Sequence, residues 1–226
     1  MNRIAKKILV IAPHADDEIL GCGGTIFKEL AAGNDVHVLL ITRGYEAQGF
    51  SKSSLELKER ELETILKAIP YTSFTRLDLP AVALDTLPRS EIVGSIHRVV
   101  NAIQSDCVYI PFAGDVHTDH QIVSESAWAA LKAFRAPSVS EVYAYEVPSE
   151  TGYQDPATGS VFNPNTFVDI SATLEQKISA FKMYDSELQT FPLPRSEEIL
   201  LALATLRGSL VNVSAAEAFV CLRKLV

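Results

Sequence analysis

The sequence predicts an α/β fold with a mostly parallel sheet and helices on both faces. Three observations favour it: short apolar runs rich in β-branched residues, amphipathic segments between these runs, and polar loops directly after them. Such alternation requires right-handed crossovers between parallel strands. The 226 residues are 47% hydrophobic and 21% charged, an ordinary globular composition, and we expect a single domain over residues 1–226.

The elements follow from the position of each pattern. Apolar runs predict four or five strands, at 7–12, 35–41, 73–79, 106–111 and 141–147. Periodicity of 3.6 residues, capping residues and breakers predict helices at 25–32, 54–69, 89–103, 120–134, 173–188 and 196–206. Polar loops are expected at 13–24, 42–53 and 112–119, and a long loop or small hairpin is expected at 149–165. Together these elements predict a Rossmann-like three-layer sandwich.

Charge and hydropathy exclude several kinds of partner. The chain has 20 Lys and Arg against 28 Asp and Glu, a net charge of −8, so we expect no nucleic-acid partner. No apolar run approaches the roughly 18 to 20 residues of a membrane span, so no membrane span is expected. The run at 8–12 is too short for a signal peptide, and the three widely spaced cysteines suit a reducing compartment. These features predict a cytoplasmic protein.

Two loops that directly follow buried strands concentrate groups that bind metal ions. They read Pro13-His14-Ala15-Asp16-Asp17-Glu18 and Asp115-Val116-His117-Thr118-Asp119-His120. Imidazole nitrogen and carboxylate oxygen are the donors of a catalytic Zn²⁺, which keeps three protein ligands and one open position, and Fe²⁺ accepts similar donors. Ligands gather beyond the carboxyl ends of parallel strands, so we expect both loops at one metal site.

The spacing of the residues within each loop indicates which of them can bind the metal ion and which remain free. His14 and Asp17 are three residues apart and can converge on one point, whereas Asp16 must project elsewhere. One aspartate can therefore bind metal while the other stays free beside a bound water. His117 and His120 have the same offset, so one can bind metal while the other faces the substrate. The acid between them can orient an imidazole.

A structural role is the alternative for any one of these residues. Asp16 could be an acid at a helix N-terminus, and His117 or His120 could be a capping or hydrogen-bonded loop residue. Five such residues in two strand-end loops favour the metal site.

These motifs resemble those of the PIG-L/LmbE-like zinc-dependent N-deacetylases. The resemblance includes both loops, the glycine-rich stretch at 20–25 and the late stretches 184–188, 194–196, 207–208 and 216–219, and so covers nearly the whole chain. Ala15 departs from the proline usual in that family, which removes no ligand or catalytic group.

The resemblance implies removal of the N-acetyl group from an N-acetylglucosamine-type amino-sugar conjugate, with release of acetate. Zinc ligands carried over by position are His14, Asp17 and His120. The catalytic residues would be Asp16 as general base, His117 as stabiliser of the oxyanion or proton donor to the leaving amine, and Asp119 as the residue that orients His117. A homo-oligomer is also compatible with the resemblance.

Arg43, Arg195 and Arg207 are candidate substrate contacts. The resemblance adds a fourth, Arg60, on the helix after the loop 42–53, as a match to a substrate-contacting arginine of the family. Arginine suits bidentate binding of phosphate, so a nucleotide-linked or phosphorylated sugar is compatible with them. A structural role is equally compatible for Arg207, as a cap at a helix C-terminus, and for Arg195, in an ion pair. Glu217 is a candidate internal partner for these arginines.

Two other functions compete with the deacetylase. A metal-dependent amidase on a non-acetyl conjugate would use the same ligands. A non-catalytic nucleotide- or sugar-binding module is suggested by the glycines after the first strand. These glycines do not form G-x-G-x-x-G, and the second strand ends in Thr42-Arg43, where dinucleotide binders place an acid.

Overall fold

The computed structural model describes residues 5–155, 157 and 159–226, which form a seven-stranded sheet with helices on both faces. The strands are β1 Lys7–Ala12, β2 Asp35–Arg43, β3 Ser73–Pro80, β4 Cys107–Pro111, β5 Glu141–Tyr145, β6 Thr166–Asp169 and β7 Ala216–Lys224. The helices are α1 Asp17–Ala31, α2 Lys52–Ala68, α3 Arg89–Ile103, α4 Thr118–Ala130, α5 Leu174–Phe181 and α6 Glu197–Ser209.

The strand order is β3-β2-β1-β4-β5-β7-β6. The first five strands in that order pair in parallel, and β7 runs antiparallel to both β5 and β6. The chain moves from β1 outward to β2 and β3, then returns to place β4 on the other side of β1. This reversal makes the carboxyl ends of β1 and β4 the switch point of the sheet, where a crevice opens. The predicted fold class is confirmed.

Alternate residues of each central strand contribute to two cores. In β1, Ile8 and Val10 pack on the face covered by α1, α5 and α6, while Leu9 and Ile11 pack on the face covered by α3 and α4. The side-chain period of two explains this division, and the strand is apolar throughout because both of its faces are covered.

The prediction of a loop over 13–24 is wrong from Asp17 onward, because α1 begins there. Its glycines lowered the apparent helix propensity. A Cβ at Gly21 would overlap the ring of Tyr145, and one at Gly24 would overlap Ile170, so the glycines let α1 approach its neighbours. Likewise α4 begins at Thr118, which places His120 in its first turn.

Other boundaries also differ. The prediction of four or five strands omitted β6 and β7, and α5 ends at Phe181, earlier than expected. Ser51, rather than Ser54, caps α2, and its side chain accepts a hydrogen bond from the Ser54 backbone N–H. Within the predicted loop 149–165, residues 156 and 158 lie outside the described residues. Among the residues described, no helix has the length and apolar character needed to cross a membrane.

Candidate metal centre

The carboxyl ends of β1 and β4 bring the two motif loops together. The two strands are hydrogen-bonded neighbours, so the loops that follow them emerge side by side. His14 lies between β1 and α1, Asp17 is the first residue of α1, and His120 lies in the first turn of α4. The sheet order therefore assembles the predicted ligands from two distant parts of the sequence.

Three donor atoms face one another at this junction. Oδ2 of Asp17 lies 3.3 Å from Nδ1 of His14 and 3.2 Å from Nε2 of His120. The two imidazole nitrogens are 3.3 Å apart. Donors that bind a tetrahedral zinc ion at about 2.0 to 2.1 Å are separated by about 3.4 Å. The three atoms thus have the spacing of one face of such a tetrahedron, and the residues fit a zinc ion.

Two carboxylates fix the orientation of the imidazoles. His14 donates from Nε2 to Oδ2 of Asp119 at 3.0 Å, and His120 donates from Nδ1 to Oδ2 of Asp115 at 2.9 Å. Each ring then directs its other nitrogen toward Asp17, as a hydrogen-bond donor when the ring is protonated and as a metal ligand when it is neutral. Sequence analysis gave Asp115 no role of its own, although the residue lies within the second motif loop.

The cluster attracts positive charge. Burial lowers the pKa of both imidazoles, but the adjacent carboxylates raise it to about 9 for His14 and about 10 for His120. Burial raises the pKa of Asp17, yet the two imidazoles bring it well below its usual range. Metal ligands bind in their deprotonated forms, so a divalent cation and protons compete for this cluster.

Asp16 differs from Asp17 in its backbone conformation and in the residues that its side chain contacts. Its φ of 125° is rare for a residue other than glycine, and such strain concentrates at functional sites. Its Oδ2 lies 3.2 Å from Nη1 of Arg195, and the residue lines the cavity described below. Burial, followed by the charges of Asp17 and Glu187, raises the pKa of Asp16 well above its usual value.

Glu18 and Tyr184 hold the strained residue in place. The backbone N–H of Asp16 donates to Oε2 of Glu18 at 3.1 Å, and the Tyr184 hydroxyl donates to Oε1 at 2.7 Å. Both side chains are buried. Glu18 is therefore a structural anchor for Asp16, a role that sequence analysis did not assign. No spacing rule could have paired it with Tyr184, which follows it by 166 residues.

His117 differs from expectation in two respects. Asp119 does not direct its carboxylate to His117 in a hydrogen bond: the acid accepts from His14 and from the Val82 backbone N–H, at 2.7 Å. Nδ1 of His117 instead accepts the Asp119 backbone N–H at 3.1 Å, so Nε2 carries the proton. Burial and the charges of His14 and His120 lower the pKa of His117 to about 4. The ring is therefore neutral near pH 7, whereas the expected alternative of a proton donor to the leaving amine requires a protonated ring.

A cavity of about 330 Å³ opens over the three donor atoms. Two of the four candidate arginines, Arg43 and Arg195, line it. Nε of Arg43 lies 3.1 Å from Glu59, and Nη1 of Arg195 lies 2.6 Å from Glu187. Both guanidinium groups therefore have carboxylate partners inside the cavity.

Arg60 and Arg207 lie outside this cavity. Arg60 is exposed on α2. Arg207 forms a bidentate ion pair with Glu146, at 2.8 and 2.6 Å, which favours its structural alternative. Glu217 binds Lys177 at 2.7 Å, and not an arginine as expected.

Two basic residues that sequence analysis missed also line the cavity. Lys58 pairs with Glu187, and Arg76 forms two hydrogen bonds with Glu59, each 2.8 Å long. They lie on α2 and on the edge strand β3, where no motif distinguishes them from exposed charges.

Fold and donor set together define an α/β protein with a candidate metal centre at the switch point of its sheet. The sequence model of the PIG-L family, described as GlcNAc-PI de-N-acetylase, matches residues 9–131. The chain belongs to this family.

The similarity to known proteins extends over most of the chain. This chain is 29% identical over 198 residues to diacetylchitobiose deacetylase of Thermococcus kodakarensis, and the match covers 80% of this chain and 70% of that protein. Conserved protein TT1542 of Thermus thermophilus superposes with a TM-score of 0.78 at 27% identity, covering 97% and 96% of the two chains. GalB, the 4-carboxy-2-hydroxymuconate hydratase of Pseudomonas putida, superposes with a TM-score of 0.76 at 18% identity, and the match covers 98% of both chains. Since the fold also occurs in a hydratase, the reaction must be argued from the site.

Proposed function

We propose that this chain is a zinc-dependent N-deacetylase that hydrolyses the N-acetyl group of an N-acetylglucosamine-type amino-sugar conjugate and releases acetate. The observation that carries the proposal is the convergence of His14, Asp17 and His120 below a cavity that Asp16 also lines. The family match and the likeness to a diacetylchitobiose deacetylase support an acetamido substrate.

Asp16 is the proposed general base. A zinc ion held by the three donors would supply Lewis acidity, which lowers the pKa of water toward about 7 and polarises an amide carbonyl. Asp16 would accept the proton of the attacking water, since its raised pKa makes the carboxylate a stronger base. Arg195 fixes the direction of that carboxylate through the 3.2 Å contact.

His117 is the proposed oxyanion donor. Nδ1 of His117 accepts the Asp119 backbone N–H, which leaves the Nε2–H available. This N–H can donate to the amide oxygen as negative charge develops there. A neutral ring suits a hydrogen-bond donor better than a proton donor. Asp16 would therefore pass the proton taken from water to the departing nitrogen, and the products are acetate and the free amine.

The test is acetate release from a panel of N-acetylglucosamine compounds: free, glycosidic and nucleotide-linked. Matched N-formyl and N-propionyl compounds test the non-acetyl amidase. We expect acetate from at least one N-acetyl sugar, loss of activity with a chelator and recovery with zinc. Turnover of only the other acyl compounds, or full activity in the chelator, would reject the proposal.

A further inference from the structure

Two cavity carboxylates, Glu61 and Glu150, have no charged partner among the residues that the structure describes. Glu61 accepts two hydrogen bonds from Ser186, each 2.7 Å long, which leaves Glu150 as the candidate for a contact with a ligand. Asp16, Asp17, Glu59 and Glu187 all line the cavity, and each contacts a histidine, arginine or lysine. Glu150 lines the same cavity but forms no ion pair with any residue that the structure describes.

Glu150 is held by the same turn that orients His120. Its backbone N–H donates to the Val147 carbonyl at 2.9 Å. The next residue, Thr151, donates its hydroxyl to Asp115 at 2.6 Å, and Asp115 in turn accepts from His120. The backbone at Glu150 is therefore fixed relative to the metal ligands, and the residue lines the cavity that opens over them.

The surroundings of Glu150 determine what can bind it. The residue is partly buried. Burial raises its pKa, and the charges of Asp17 and Asp115 raise it further, against the opposing charge of His120. Hydrogen-bond donors stabilise such a group, whereas phosphate or carboxylate would be repelled. The part of a substrate that faces Glu150 is thus a donor.

We propose that Glu150 is a specificity-determining residue that accepts a hydrogen bond from a ring hydroxyl of the substrate, an inference that rests on the proposed deacetylase function. The ring carbon with the acetamido group has two neighbours. In a glycosidic conjugate one neighbour carries the glycosidic oxygen, and the other, carbon 3, carries a free hydroxyl. With the acetamido group at the metal centre, this hydroxyl is on the adjacent ring carbon, inside the cavity that Glu150 also lines.

The experiment pairs a deletion in the enzyme with a deletion in the substrate. Wild type, Glu150→Ala and Glu150→Gln are assayed on the best N-acetyl sugar of the panel and on its 3-deoxy analogue. We expect wild type to lose about 10- to 100-fold in kcat/KM when the hydroxyl is removed, the size of a hydrogen bond to a charged group. Glu150→Ala should show the same loss on the full sugar and discriminate little between the two substrates.

Zinc content is measured in every sample, and Glu125→Ala removes an exposed acid on α4 as the control. Equal discrimination by wild type and Glu150→Ala would overturn the inference, as would loss of zinc in both Glu150 variants. Failure of wild type to release acetate from any N-acetyl sugar would instead reject the deacetylase function, so the two failures are distinguishable.

Discussion

At the scale of residues, the neighbours Asp16 and Asp17 have opposite environments. Asp17 begins α1 and faces two imidazoles, which lower its pKa. Asp16 precedes the helix with a φ of 125° and contacts Nη1 of Arg195 at 3.2 Å. The backbone strain at Asp16 is the physical reason that two adjacent carboxylates can serve one site in different roles.

The carboxylates behind the imidazoles should tune metal affinity. Asp115→Asn and Asp119→Asn each remove a negative charge that accepts an imidazole N–H, so zinc affinity should fall by about 10- to 100-fold. Competition with a chromophoric chelator measures this change. Asp85→Asn, at an exposed position, is the control. Unchanged affinity in both buried variants would contradict the assigned orientation of the rings.

Glu18 should act on turnover through the position of Asp16. The two donors approach different oxygens of Glu18, and glutamine replaces one of these oxygens with an NH2 group that cannot accept. Glu18→Gln should therefore lower kcat by about 10- to 100-fold while zinc content is retained. Tyr184→Phe removes one donor and leaves the Asp16 anchor intact, so its loss should be smaller. A larger loss in Tyr184→Phe than in Glu18→Gln would refute this ordering.

At the scale of elements, α1 depends on glycine where it contacts the sheet. Gly21→Ala would push a methyl group into the Tyr145 ring and should lower the free energy of unfolding by about 1–3 kcal/mol. Gly94→Ala on α3 is the matched substitution, since its Cβ would meet only Arg98, at 3.8 Å. That change should raise stability by about 0.5–1 kcal/mol. Denaturant unfolding measures both, and equal effects would contradict the packing argument.

A buried ion pair ties α1, α5 and β7 together. Glu217 accepts from Lys177 and from the backbone N–H groups of Gly24 and Thr25, at 2.9 and 2.8 Å. Glu217→Ala leaves the lysine charge buried and unpaired and should cost about 3–5 kcal/mol of unfolding free energy. Lys177→Met should cost less, because the backbone donors still satisfy the carboxylate. The reverse order in urea unfolding would be evidence against this account.

At the scale of the whole molecule, the sequence predicted the α/β class and which residues converge. Apolar runs and helical periodicity predicted the fold class, since β1 and α3 lie where expected. The imidazole and carboxylate donors in two loops that follow strands predicted the convergence. Strand order does not appear in local patterns, so the adjacency of β1 and β4 could only be seen in the structure. The positions of Arg60 and Arg207 relative to the cavity could not be predicted for the same reason. The sequence around a charged helix residue does not show which residues it contacts in the fold.

Asp115, Glu18 and Glu150 were missed for a related reason. Each acts through a contact with a residue elsewhere in the fold or through its place in the cavity. Single carboxylates in a motif or loop are common and have many structural explanations. Their roles follow from burial and from the partners they lack or possess, which only the folded chain defines.

Removal of the metal ion should lower the free energy of unfolding of the whole molecule. The three donors join the loops after β1 and β4, so a bound ion stabilises the folded state by mass action. Zinc at a hundred times its dissociation constant should add about 2.7 kcal/mol to the unfolding free energy. Thermal unfolding with a chelator and after zinc reloading checks this. An unchanged midpoint would be inconsistent with a metal centre of that affinity.

The proposed mechanism requires that Asp17 binds the metal ion while Asp16 accepts the proton of the attacking water. Asp16→Asn is the sharpest variant, because asparagine keeps the size of the side chain and tolerates a positive φ better than alanine does. Zinc content and acetate release are measured on the same preparation, beside Asp17→Ala and His120→Ala. We expect Asp16→Asn to keep its zinc and lose about 10²- to 10⁴-fold in turnover, and the other two variants to lose zinc. Wild-type turnover in Asp16→Asn, or zinc lost from it, would contradict the account.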